Sequence, residues 1–232
     1  MADDEEATAV DGMDQLSLDL GKLLHDDDKS DVTFVVGRAK ERVPAHRVIL
    51  GCRSDVFGAL LYGGMREANE REVRIPNIEP AVFRVLLEYI YTGKASIQPH
   101  MSMKLLAAAN QYNLGQLVEH CTASIQGSLD GSYVCSTLRD AAGFPEIFDL
   151  CLRFVEDNSA EVFASDDFVH LNKQTLVEVL KSDNLTINEV DLFSGVHRWG
   201  RHQAQLVAAG EEEDGGGGGG GGEDGDAADD GI

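Results

Sequence analysis

The residues in this chain whose types suit chemistry are a few histidines, four cysteines and the Gly93-Lys94 pair. His46 stands just before Arg47, between a strand-like segment and a helical one. A histidine there could act as a general base only with a nucleophile held at its ring, and no spacing in the sequence supplies one. It reads as a structural histidine bonded to backbone groups. His197 and His202 are five apart and so on different faces of a helix, and His120-Cys121 is an isolated pair, so neither suggests a metal site. Cys52, Cys121, Cys135 and Cys151 form no CxxC pair and read as small core hydrophobes. Gly93-Lys94 would close a phosphate loop only with glycine at 88, where a glutamate stands. Apart from matches that draw on the glycine run at 215–222, the motif GxGxxG does not occur, and HExxH and GxSxG are absent. The carboxylates are plentiful but crowd the chain ends, where no wall can shift their pKa. The expectation is a protein that is not an enzyme and uses no cofactor and no metal. One further segment, VPAHRVILGCRSDVFGALLYGGMRE at 43–67, poses the question of an active site, a ligand loop or a surface that another protein reads.

The net charge of −22 is uneven. Residues 1–28 and 211–232 each contribute −9, leaving −4 for everything between. The middle has an ordinary globular composition, and the ends read as acidic tails, the second containing eight consecutive glycines at 215–222. No basic stripe offers footing for nucleic acid. No signal pattern and no long apolar window is present, so no membrane partner is expected, and a cytoplasmic or nuclear location is.

The elements that must position the segment follow from periodicity. Leu16, Leu20, Leu23 and Leu24 fall at helical spacing. DVTFVV (31–36) has strand composition, Gly37–Lys40 suits a turn, and ERVP (41–44) reads as a return strand stopped by Pro44. Residues 45–52 predict a short helix with Val48, Ile49 and Cys52 inward. Ser54 is an N-cap for a second helix with Phe57, Leu60 and Leu61 on one face, ended by Gly63-Gly64 through positive φ. EVRIP (72–76) alternates as an edge strand. Phe83, Leu86, Leu87, Ile90 and Tyr91, after Pro80, mark the strongest amphipathic helix, closed by Gly93. Helices follow over 101–112 and 115–126, then helical segments with no internal repeat through 203. The order predicts an α+β domain followed by a helical region.

The segments SDVTFVV, VPAHRVILGCRSDVFGALLYGGMRE and VRIPNIEPAVFRVLLEYIYTG together resemble the BTB/POZ domain. Asp31, His46-Arg47, Leu50, Ser54, Phe57, Phe83, Leu87 and Tyr91-Thr92-Gly93 occur in family order. DLCLRFVEDNSAEVFASDDFVHLNKQTLVEVLKSDNL and EVDLFSGVHRWGRH resemble the first part of a BACK domain. The resemblance implies a BTB/POZ fold, a small mixed sheet with helices, over 16–125, then an all-α partial BACK region over 126–207. Disordered acidic tails are expected at 1–15 and 208–232. Without later BACK helices to cover it, the Trp199 face is expected to fray near 190–207.

The resemblance further implies a dimer, with itself or with other BTB proteins. Leu16, Leu20, Leu23 and Leu24 supply its interface or else cover their own domain, and Asp31 and Arg47 form a charged pocket beside it. It also implies a surface for cullin-3, built from the φ-x-Glu triplet Met65-Arg66-Glu67, Tyr112, and Leu61 or Leu60, of which at least one belongs to the core. Helices over 131–157 are expected to extend that contact. On this reading the chain is a ubiquitin-ligase adaptor for an unknown substrate. An oligomerising scaffold and a transcriptional corepressor platform are the alternatives.

Overall fold

The computed structural model describes residues 12–24, 26–64 and 70–214, with side chains as far as 209. The chain divides into two compact units. One holds the residues up to Leu129 with Asp140–Leu150, the other Asp130–Arg139 with those from Cys151 onward.

In the first unit the β-branched run 32–36 forms strand β1 (Val32–Val36) at the centre of a three-stranded sheet. It pairs antiparallel with β2 (Glu41–Ala45) and parallel with β3 (Glu72–Ile75). Gly37 makes the turn at φ +68°, and a Cβ there would also lie 2.9 Å from Pro80. Pro44 does not stop its strand. Thr33 donates its N–H to Arg71 O, toward β3, so Pro44 opposite it faces the open edge, where a missing N–H breaks no ladder bond.

Helix α1 (Met13–Leu23) begins within the stretch expected to be disordered and contains no buried residue. Ser17 Oγ donates to Thr92 O at 2.8 Å and ties α1 to the first unit. Helices α2 (Arg47–Arg53) and α3 (Asp55–Tyr62) are separated by Ser54, whose Oγ accepts Phe57 N–H at 3.2 Å and donates to Tyr112 O at 2.6 Å. The N-cap expectation is met, and one hydroxyl also anchors a distant turn. Gly63 ends α3 at φ −70°, not in the left-handed region. Its glycine is needed because a Cβ would meet Ala59 O at 2.2 Å.

Helix α4 (Pro80–Thr92) buries Phe83, Leu86, Leu87, Ile90 and Tyr91, and Gly93 closes it at φ +71°, as the periodicity predicts. It packs behind the sheet, where Phe34, Phe57 and Phe83 form an aromatic cluster with centroids 5.2–6.5 Å apart. Helices α5 (Ser102–Gln111) and α6 (Gly115–Ser128) complete the unit, joined by a turn in which Asn113 takes φ +53°.

Helix α7 (Tyr133–Asp140) buries Val134, Cys135 and Leu138, and α8 (Pro145–Asp157) buries Ile147, Cys151 and Val155. The second unit continues with α9 (Ser159–Ala164), a 3₁₀ turn at Asp167–His170, α10 (Lys173–Leu180) and α11 (Glu189–Asp214). Asn172 caps α10 by accepting Thr175 N–H at 2.8 Å. Asn188 Oδ1 accepts Asp191 N–H at the start of α11. Helix α11 runs past 207 to Asp214, into the stretch expected to be an irregular tail. Trp199 faces inward and donates Nε1–H to Leu171 O at 2.7 Å, whereas Val190 and Phe193 of the same helix are exposed. The tail expectations at 1–11 and 215–232 lie outside the described residues.

Burial pushes the thiols of Cys121 and Cys151 up to about 12 and that of Cys135 up to about 11, and Cys52 alone is exposed. A disulfide reagent at neutral to mildly alkaline pH is therefore expected to modify Cys52 alone in the native chain and all four thiols after denaturation. Fast native reaction at any second cysteine would contradict this packing.

Candidate functional site

Two apolar faces of the first unit stand out. The first is α3. Phe57 and Leu61 point into the core, as residues four apart on one helix must. Everything else on the helix faces outward or toward α2, and Asp55 is its only charged residue. A helix that is apolar all round is normally covered on all sides, yet Val56, Ala59 and Tyr62 are exposed and Leu60 is half-buried. Beside it runs a groove of about 450 Å³ whose lining includes Val56, Ala59, Leu60, Ile75 and Tyr112, with Asp55 as its one charged residue.

Tyr112 is 2% exposed and forms the floor of this groove rather than a projection from it. Its ring stacks on Phe57 with centroids 4.0 Å apart and planes 4° apart. Burial pushes its phenol up to about 12. Leu61, offered as a docking residue, is 1% exposed and belongs to the core, and Leu60 takes the surface position. Met65 and Glu67 lie outside the described residues. The flanks of their segment are held by Arg47, whose guanidinium donates to Leu61 O at 2.9 Å and to Glu70 O. Asp31 accepts the backbone N–H of Arg47 at 2.8 Å. Asp31 thus meets Arg47 through the amide that starts α2, and the guanidinium reaches two main-chain carbonyls.

The second face lies between α1 and α2. A groove of about 490 Å³ is lined by Met13, Leu16, Leu20, Val48, Ile49 and Cys52. Leu16 is 50% exposed and Val48 59%. Leu20, Leu23 and Leu24 are half-buried. Val48 and Cys52 point outward, against expectation, because Leu50 is the α2 residue that enters the core. Two turns of helix offer too short a pattern to show which apolar residue turns in.

His46 sits under this face and is almost wholly buried. Its backbone N–H donates to Tyr91 Oη at 2.9 Å, and its Nδ1 lies 2.9 Å from the same oxygen. Burial, reinforced by the charge of Asp31 and partly opposed by the His46 amide, pushes the Tyr91 phenol up to about 12. The bond between this ring and the Tyr91 phenol ties the start of α2 to α4. Among the described residues no group of three or more His, Cys, Asp or Glu could hold a metal. No described helix is long and apolar enough to cross a membrane.

The family model of the BTB/POZ domain matches residues 20–129, and that of BACK (BTB And C-terminal Kelch) matches 135–209. BTB/POZ domain-containing protein 9 of Rattus norvegicus is 36% identical over 202 residues, 84% of this chain and 33% of that protein. Its counterpart in Drosophila melanogaster is 35% identical over 203 residues, 85% of this chain and 28% of that protein. BTB/POZ domain-containing protein 6-B of Danio rerio is 33% identical over 174 residues, 73% of this chain and 36% of that protein. The chain spans about a third of the length of the curated relatives it matches.

Proposed function

Because the chain belongs to the BTB–BACK family of protein-interaction modules, we propose that it is a dimeric adaptor that holds cullin-3 along α3 and presents a substrate for ubiquitination. The observation that carries this reading is the apolar outer face of α3 beside the groove of Leu60, Ile75 and Tyr112. A helix from a partner would cover surface that the chain leaves in water. The triplet Met65-Arg66-Glu67 follows α3 directly in sequence and adds a flexible apolar anchor and a carboxylate. The α1/α2 groove serves self-association or pairing with another BTB protein. No chemistry is asked of the adaptor, since holding two reactants together raises their effective concentration.

The test is calorimetric titration of the full chain with the N-terminal region of cullin-3, alongside Met65→Ala/Glu67→Ala. Submicromolar binding that the double variant loses is the expected result. Absence of binding at about 100 μM, a ceiling of about −5.5 kcal/mol, with a dimer confirmed by ultracentrifugation, would overturn the ligase role. It would leave an oligomerising scaffold. That second reading draws on the α1/α2 groove, which needs no ligase to explain its exposed Leu16 and Val48.

A further inference from the structure

Helix α3 has two flanks. Leu60 borders the groove on one of them, and Tyr62 stands on the other, 60% exposed. The Tyr62 ring does not wave in solvent. It lies down on α2, where a Cβ on Gly51 would come within 2.9 Å of its Cε2 and 3.3 Å of its Cδ2. Gly58 opposes the same point, its own would-be Cβ 3.4 Å from Gly51 O. Two glycines therefore let α2 and α3 approach closely enough for the ring to rest on backbone. An aromatic that already rests on backbone has fewer rotamers to lose than one surrounded by water, so covering it costs less further entropy. Between the flanks the helix offers Val56 and Ala59, both exposed and uncharged.

We propose that Tyr62 is a specificity-determining aromatic anchor of the docking surface, and that Gly51 positions it. The partner lays one apolar helix across α3, filling the Leu60 groove on one side and covering the Tyr62 ring on the other. Continuity along α3 selects this occupant, because Val56 and Ala59 join the groove to the ring, and the one charge of the helix, Asp55, lies at its N-terminal end among the groove residues. This inference rests on the docking reading above and adds to it a residue on the far flank of the helix.

The experiment uses the full chain and the purified cullin-3 N-terminal region in calorimetry, comparing Tyr62→Ala, Tyr62→Phe, Gly51→Ala and Leu60→Ala. Tyr62→Ala is expected to weaken binding by about tenfold or more, the loss typical of a buried aromatic anchor. Tyr62→Phe should stay within about threefold of the native chain, since most of the contact is ring surface. Gly51→Ala should fall between them, because its methyl group lifts the ring without removing it. Thermal melting should be nearly unchanged in Tyr62→Ala, as befits an exposed side chain. If Leu60→Ala or the Met65/Glu67 double variant loses binding while Tyr62→Ala does not, the docking reading stands and the anchor falls. If the native chain does not bind, both fall. If Tyr62→Ala instead dissociates the dimer in ultracentrifugation with binding intact, the ring belongs to a self-contact and the inference is overturned.

Discussion

Phe57→Ala is expected to lower the unfolding free energy of the strand-bearing unit by about 3–5 kcal/mol. The side chain is fully buried. Its ring lies stacked on Tyr112 and edge-on to Phe34 and Phe83. Truncation leaves a cavity bounded by three other aromatic rings and by the sheet, and such rigid walls relax little. A typical domain has only about 5–15 kcal/mol to lose, so the variant should unfold at markedly lower urea. A functional consequence follows from the same contact. Tyr112 floors the α3 groove and rests on Phe57, so the groove should lose its shape in whatever variant population stays folded. Val56→Ala, on the exposed side of the same helix, should cost less than about 1 kcal/mol. Equal urea midpoints for Phe57→Ala and Val56→Ala would show that the aromatic cluster does not carry this unit.

The second large effect is expected in the helical unit. Arg198→Ala should destabilise it by about 2–4 kcal/mol, following the strength of hydrogen bonds from charged donors. The Arg198 Nη2 donates to Phe163 O at 3.0 Å and to Ser165 O at 2.6 Å, at the end of α9. Its pairing with the fully exposed Asp166 at 4.0 Å adds little. The next inward residues of α11 continue the same attachment, Trp199 to Leu171 O and Gln203 to Val169 O. One helix face thus holds the backbone of 163–171, a stretch with little regular structure of its own. Removing Arg198 leaves two carbonyls without their donor. Lysine should restore the loss only in part, because its ammonium can donate to both carbonyls but sits one bond short of the Nη2 position. Trp199 is the sole tryptophan of the chain, and its indole is bonded within the same contact. Its fluorescence transition in denaturant is therefore the direct readout, and an unshifted midpoint in Arg198→Ala would refute the assignment.

Much of the first unit was legible in the residues. The five apolar positions of α4 repeat over three turns, long enough for periodicity to name both the helix and its buried side. The run at 32–36 and the serine before α3 carry equally local signals, a strand composition and a cap. The order of these elements carried the family resemblance. What failed were inferences from short segments. Helix α2 is two turns long, and its inward residue proved to be Leu50, leaving Val48 and Cys52 outside. The same limit left Leu60 and Leu61 undecided, and Tyr62 unnoticed beside them. Helix α9 and the 3₁₀ turn after it escaped notice too, because contacts with α11 hold them in place.

By itself, then, the chain determined which stretches become helix or strand, where several of them stop, and the family to which their order belongs. Each of those properties arises from neighbours within a few positions, through backbone preference, capping and the spacing of apolar side chains. Tertiary structure alone decided which side of each short helix faces water. Ser54 reaches the carbonyl of Tyr112, 58 positions away, and the His46 amide reaches the hydroxyl of Tyr91, 45 positions away. Those two bonds orient α3 and α2. The apolar surfaces on which the proposed partners depend are the sides left outward once such distant contacts have formed.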